Sequence, residues 1–178
     1  MACIEKIYSV SALIGSGLCN GNCSFCAGKI FRGSSGSDNY YKNLESAIKL
    51  SARYGGWSLS LTSSGEPTCE PDALTKVLRV YNKCAKQGAY FPSVNLFTNG
   101  ILLADPKFCE KYLPLWKSLG LTNIAVSIHG TNEWRQSLAY SIESYPYLPI
   151  IFGNIKSIGL GLRCTLLLRK WWIDDSKT

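Results

Sequence analysis

The chain has 178 residues, 46% of them hydrophobic and 17% charged, with eight cysteines and a formal net charge of +7. This length and mix exclude a disordered or fibrous chain and suffice for one domain, spanning residues 1–178, with a sizeable buried core. The Lys and Arg residues are dispersed and no basic tract interleaved with aromatics appears, so the charge permits an anionic partner without indicating nucleic acid.

Residues 4–10 alternate and are rich in β-branched and aromatic side chains, which predicts a first strand. It runs into Cys19-Asn20-Gly21-Asn22-Cys23-Ser24-Phe25-Cys26, where three thiols within eight residues can turn toward one centre. Thiolate is a soft ligand suited to iron–sulfur clusters, zinc or copper(I), and three thiolates fill three of four tetrahedral positions. A fourth side chain would close the site and make it structural; without one, a metal position stays open to a substrate. Gly15, Gly17, Asn20, Gly21 and Asn22 tolerate the positive φ angles that a wrapping loop needs.

Residues 32–43 read as a polar, Gly/Ser-rich loop. Leu44, Ala47, Ile48 and Ser51 then recur at helical spacing, with Asn43 as N-cap and Gly55 past the end. A second strand over residues 57–61 runs into Ser63-Ser64-Gly65-Glu66-Pro67. The next helix is capped by Asp72, carries Leu74, Val77, Leu78, Tyr81 and Ala85 on one face, and stops at Gly88. A third strand over residues 94–97 ends at Thr98-Asn99-Gly100, and a helix from Asp105-Pro106 carries Phe108, Tyr112, Leu115 and Leu119, with Pro114 expected to kink or divide it.

A fourth strand over residues 124–128 ends at His129-Gly130, residues 131–147 read as a loop with at most one helical turn, and Ile151, Ile155 and Ile158 mark a helix between Pro149 and Gly159. A fifth strand covers residues 162–168. Strand alternating with helix five times means an α/β fold with a parallel sheet covered by helices. The cysteine loop and the three polar turns all follow strands, the edge that carries active sites in such folds.

The eight cysteines do not suggest a secreted disulfide scaffold, because such scaffolds are small and loop-rich while this chain has long periodic segments. Reduced thiols are expected, with Cys3, Cys69, Cys84, Cys109 and Cys164 as small packing residues. No apolar run reaches the roughly 18 residues of a membrane span and no basic-then-apolar leader opens the chain, so the expectation is a cytoplasmic protein.

Cys19-x3-Cys23-x2-Cys26, with Phe25 before the last cysteine and Gly65-Glu66-Pro67 after the second strand, resembles the radical S-adenosylmethionine superfamily, in register over about residues 7–168. The stretches 96–100 and 126–130 look like the third and fourth strand ends of the molybdopterin-precursor cyclases and peptide-maturing enzymes. The resemblance implies a partial (β/α) barrel in which Cys19, Cys23 and Cys26 hold a [4Fe-4S] cluster whose fourth iron chelates S-adenosylmethionine. One electron would then give a 5′-deoxyadenosyl radical that takes hydrogen from a substrate, the cofactor performing the chemistry and the protein positioning it. It further implies that Phe25 lies along the adenine, that Glu66 with Gly65 and Pro67 receives the methionine ammonium, and that Ser127, Thr98 or Asn99 reaches the ribose or methionine end. Where the family more often has Gly-Gly-Glu-Pro, this chain has Ser64 in the first position.

The implied electron donor is a small flavodoxin- or ferredoxin-like protein. The family's barrel has six strands against five here, so the chain is expected to be a fragment or to have a partner covering the fifth-strand edge. Two other readings compete: a closed, non-catalytic zinc or iron–sulfur module, with the single histidine, His129, as fourth ligand, and an inactive truncated relative. His129 also reads as a polar residue facing the cavity, and Glu66 as a turn carboxylate capping the next helix. Arg163 and Arg169 read as solvated surface.

Overall fold

A computed structural model of the chain describes residues 6–29 and 38–167. Five strands, β1 (Ser9–Leu13), β2 (Ser58–Thr62), β3 (Ser93–Thr98), β4 (Asn123–Ile128) and β5 (Gly161–Leu166), form one sheet in chain order. Every neighbouring pair is parallel. Helices α1 (Asp38–Arg53), α2 (Pro71–Lys86), α3 (Pro106–Ser118), α4 (Glu133–Tyr140) and α5 (Leu148–Ser157) lie between the strands. This is the α/β, five-stranded partial (β/α) barrel expected from the alternation. No helix among the described residues is long and apolar enough to cross a membrane.

The two faces of the sheet differ in chemistry. Leu59, Leu61, Val94, Leu96, Ile124 and Val126 alternate along β2, β3 and β4 and are buried in one core with Leu74, Leu78, Tyr81, Leu113, Trp116 and Ile155 from the helices. The other face carries Ser58, Ser60, Asn95, Asn123 and Ser127. There Asn123 Nδ2 donates to Asn95 Oδ1 at 3.1 Å and to Ser93 Oγ at 3.2 Å, so the buried amides are satisfied by one another. The helices cover the apolar face, which leaves the polar face to line the inside of the partial barrel.

The element boundaries differ from the sequence reading at several points. The first strand is Ser9–Leu13 rather than residues 4–10, because the register to β2 begins at Ser9; residues 4 and 5 lie outside the described residues. Helix α1 starts at Asp38, so Asn43 is interior and not a cap, and Ala47 is exposed while Leu44, Ile48 and Ser51 are buried. The predicted loop over residues 32–43 falls partly outside the described residues. Asp72 is in the first turn of α2 and Glu70 is its N-cap residue.

Pro114 does not divide α3, which runs unbroken from Pro106 to Ser118 with Asp105 accepting from the Lys107 amide at 2.9 Å. Pro114 is exposed, as is Glu110, whose carbonyl loses the helical donor, so water can replace the missing bond. The core face of α3 is Cys109, Leu113 and Trp116, with Phe108, Tyr112 and Leu115 only partly buried. The stretch read as a loop over residues 131–147 holds α4, capped by Asn132 Oδ1 accepting from the Arg135 amide. The fifth strand ends at Leu166, and the remainder of its predicted span reaches beyond the described residues.

Candidate functional site

The loop after β1 is laid against the turn after β2 by glycines. A Cβ on Gly65 would sit 2.3 Å from the Leu18 carbonyl oxygen and 2.4 Å from that of Gly17, and one on Gly28 would sit 2.0 Å from the Ser64 oxygen. Only glycine permits backbone to approach backbone this closely. The serine at position 64 meets the loop through its main chain at Gly28 and also through its side chain, whose Oγ would lie 2.9 Å from a Cβ on Gly17. Glu66 N donates to the Leu18 carbonyl at 2.8 Å, and the Ser16 amide donates to both carboxylate oxygens of Glu70, at 2.9 and 2.8 Å. Two further bonds secure the loop: Asn99 Nδ2 to Asn20 Oδ1 at 2.6 Å and Asn22 N to the Tyr140 carbonyl at 2.7 Å.

Glu66 is the hub that joins the strand ends. Its carboxylate is 2% exposed and accepts four bonds: from Thr68 N (2.9 Å), Thr68 Oγ1 (2.7 Å) and Thr98 Oγ1 (2.6 Å) at Oε1, and from Asn99 N (2.7 Å) at Oε2. It caps a 3₁₀ turn over Pro67–Cys69, the turn role expected of it, and also ties the end of β2 to the end of β3. No ion pair to Glu66 is present among the described residues, where Lys49 and Lys83 both pair with Glu45. Burial pushes the Glu66 carboxyl above its ordinary range against these hydrogen bonds, which favour the charge.

Two adjoining cavities meet at the cysteine loop. The outer one, about 430 Å³, is lined by Cys19, Cys23 and Cys26 together with Ser16, Lys29 and Ser64. The inner one, about 280 Å³, is lined by the same three cysteines and by Phe25, Gly65, Glu66, Pro67, Thr98, Asn99 and Ser127, so the structure brings all ten residues singled out in the sequence around one space. Within it Asn99 Oδ1 accepts from the Ile101 amide and Thr98 Oγ1 from that of Gly100, so both side chains already have protein partners.

Among the described residues no group of three or more His, Cys, Asp or Glu side chains stands at metal-binding geometry. The three thiols share the cavity walls without converging on one point. Cys19 is exposed, and Cys23 and Cys26 are half-buried. Burial raises the Cys19 and Cys23 thiols, Cys23 to about 11, with the neighbouring thiols adding to the rise at Cys23 and Lys29 opposing it. Lys29 Nζ is held by the Asn22 carbonyl at 3.4 Å.

His129 lines the inner cavity, its ring 5.1 Å from that of Phe25 and 5.0 Å from that of Tyr140. Its amide donates to Gln136 Oε1 at 2.7 Å, while its Nδ1 and Gln136 Nε2 are buried without partners among the described residues. Burial lowers its pKa, so the neutral ring is favoured.

Three contributors escaped the sequence reading. Glu70 holds the loop entrance; its signal was a second glutamate four residues after Glu66. Tyr140 walls the cavity, its hydroxyl donating to the Ser127 carbonyl at 2.9 Å and its ring stacking on Tyr145, whose hydroxyl donates to the Asn99 carbonyl at 2.7 Å. Cys69 is half-buried beside the loop, accepting from the Asn20 amide, its thiol pushed to about 11 chiefly by burial. Cys84 and Cys109 are buried as expected, Cys164 is exposed on β5, and Cys3 lies outside the described residues. Arg163 is exposed, and Arg169 lies outside the described residues.

A model of the Radical SAM superfamily matches residues 13–143 of the chain. Two solved structures share its fold: a hexahistidine-tagged anSMEcpe with bound AdoMet, at TM-score 0.60 and 17% identity, and native anSMEcpe with bound AdoMet and a peptide, at TM-score 0.59 and 18% identity. Each match covers 88% of this chain and 42% of the other, so the chain spans less than half the length of these proteins. No curated protein matches it in sequence.

Proposed function

Because the chain belongs to the Radical SAM superfamily, we propose that its three loop cysteines hold a [4Fe-4S] cluster and that S-adenosylmethionine binds in the inner cavity. The donor set fits: Cys19, Cys23 and Cys26 are soft ligands on one loop, all facing both cavities. The observation that carries the reading is Glu66, a buried carboxylate with no ion pair among the described residues. A buried charge without a counter-ion is costly, and the ammonium of S-adenosylmethionine supplies one.

Bound together, these groups supply one-electron cleavage of a carbon–sulfur bond and hydrogen-atom abstraction from a substrate. The chain's own residues do the positioning. Oε2 of Glu66 accepts one bond from protein and keeps acceptor capacity for the ammonium. Phe25 and Tyr140 offer aromatic walls, and the Ser127 side chain faces the same space. A flavodoxin- or ferredoxin-like protein supplies the electron, and the substrate is a peptide or small molecule.

One observation favours a second reading. Because the thiols do not converge at metal-binding geometry among the described residues, a non-catalytic zinc or iron–sulfur module, or an inactive truncated relative, accounts for the loop without a preformed cluster site. Anaerobic reconstitution with iron and sulfide, followed by electron paramagnetic resonance of the reduced protein, separates the two. A cluster signal that changes on adding S-adenosylmethionine supports the first reading. Tight zinc binding without a cluster, or a cluster indifferent to S-adenosylmethionine, supports the second.

A further inference from the structure

The end of the sheet opposite the cysteine loop has a composition that neither cavity explains. Tyr8 immediately precedes β1 and Trp57 immediately precedes β2, and both the Trp57 and Ser58 amides donate to the Tyr8 carbonyl, so the two rings start from adjacent positions on neighbouring strands. Tyr54, at the end of α1, accepts from the Ile7 amide through its carbonyl, and Tyr90 enters β3 on the same end. These four rings are 68%, 62%, 38% and 61% exposed for Tyr8, Trp57, Tyr54 and Tyr90. Of the six strongly exposed aromatic side chains among the described residues they are four, so the exposure is gathered at one end rather than scattered.

The same end is basic. Lys6, Arg53, Lys86, Lys117 and Lys156 are exposed at the strand starts and helix ends, and the last turns of α1, α2, α3 and α5 contain no carboxylate. Glu45 sits about two turns back along α1, paired to Lys49 and Lys83, and Glu110 sits about two turns back along α3, in a groove with Ser157 and Ile158. A groove between α2 and the end of α3, lined by Arg79, Lys83, Lys86 and Leu119, continues the basic surface. Helix dipoles favour cations at helix C-termini and account for part of this charge. They give no reason to expose tyrosines and a tryptophan beside it, where water contact with apolar rings is unfavourable.

We infer that this face binds single-stranded nucleic acid, with bases stacking on Trp57, Tyr8 and Tyr90 and phosphates meeting Lys6, Arg53 and Lys86. An acidic protein can cover rings as well as cations, but it does not repeat an anion beside a flat ring at every unit, and a second copy of this basic face would bring like charges together. A flexible polyanion with a flat apolar ring on every unit uses both. The Lys6 ammonium already lies 5.0 Å from the Tyr8 ring centroid, a cation and a stacking surface in one place. The cations are spread along the sequence, and it is the fold that collects them at one end.

The test is fluorescence anisotropy of labelled oligouridylate and oligothymidylate of roughly 15 nucleotides against the full chain, with tryptophan emission read in parallel and the Trp57 part taken as the difference from Trp57→Ala. Binding should quench Trp57 and weaken about 20-fold between about 50 and about 200 mM salt, as expected for three phosphate contacts. Trp57→Ala, whose ring is exposed and unimportant to the core, should weaken it about 5-fold or more, and Tyr90→Ala on a separate loop should do likewise. Any of the following results overturns the inference. One is no binding up to about 100 µM, the weak end of non-specific affinity. Another is binding that neither variant changes. The third is a dimer in size-exclusion chromatography that Trp57→Ala dissolves, or equal competition by polyglutamate, which assigns the face to a second copy or to an acidic protein.

Discussion

Two glycines with opposite surroundings test how the cysteine loop is held. Gly65 has carbonyl oxygens at 2.3 and 2.4 Å from any added Cβ, whereas Gly153, in α5, has nothing within 4 Å. Gly65→Ala must push the loop off the turn and is expected to cost about 1–3 kcal/mol and to lower iron uptake on reconstitution. Gly153→Ala should stabilise by about 0.5–1 kcal/mol, because only helix propensity changes. Urea denaturation with an iron count checks both; equal effects would mean that the close approach at Gly65 is not structural. Glu66 poses a sharper question, since it serves both as a cap and as the proposed receptor of an ammonium. Glu66→Ala strands donors on Thr68, Thr98 and Asn99 and should cost about 3 kcal/mol. If the ammonium role holds, the variant also binds S-adenosylmethionine at least about tenfold more weakly at unchanged iron content, which calorimetry reads directly. Without ligand, the raised Glu66 carboxyl means that the folded chain binds this proton more tightly than the unfolded one. Its contribution to stability therefore falls as pH rises above the ordinary 4.5 toward the folded pKa, and Glu66→Gln removes that slope.

At the scale of elements, periodicity worked where one face alone is buried and failed where burial is mixed. Helix α2 was legible because Leu74, Val77, Leu78 and Tyr81 are all buried on one stripe. Helix α4 was not, because its buried positions are Gln136, Ser137, Ala139 and Tyr140 while Trp134 and Leu138 face solvent, an inverted pattern for an amphipathic helix. That inversion has a local cause: the inward side of α4 packs on the cavity wall, where Gln136 Oε1 accepts from the His129 amide and the Tyr140 ring lines the cavity. The gathering of the ten candidate residues around one cavity was legible because their motifs lie at strand ends that the parallel topology brings together. The arrangement of the thiols and the bonds from Glu70 and Tyr140 were not, since they depend on contacts between residues far apart in sequence. Pro114 shows a rule overruled by exposure, and it carries a prediction. Pro114→Ala restores the amide that can bond to the Glu110 carbonyl, so α3 should gain about 1–2 kcal/mol after the lost rigidity of the unfolded chain is set against it. The midpoint of urea denaturation measures this; no gain would mean that water already satisfies the Glu110 carbonyl fully.

For the molecule as a whole, the sheet is open at both ends, since β1 pairs with β2 alone and β5 with β4 alone among the described residues. The two edges are not equivalent. Each edge strand packs on a helix, β1 on α1 and β5 on α5, but β1 buries Ala12 whereas Arg163, Cys164, Thr165 and Leu166 of β5 are all exposed, on both faces of the strand. A parallel edge strand exposed on both faces presents unpaired amides and carbonyls beside apolar side chains, which is a template for pairing with another chain. Arg163, at the middle of β5, is its single charge, so within the strand Cys164, Thr165 and Leu166 carry none to repel a second strand. The purified chain under reducing conditions should therefore associate with rising concentration through β5, in preference to β1. Leu166→Lys places a charge at the exposed end without touching the core and should raise the onset concentration of light scattering at least about twofold, whereas Leu13→Lys on the opposite edge should leave it unchanged. An equal response to both substitutions would show that association is governed by net charge, and that β5 is no more available than β1.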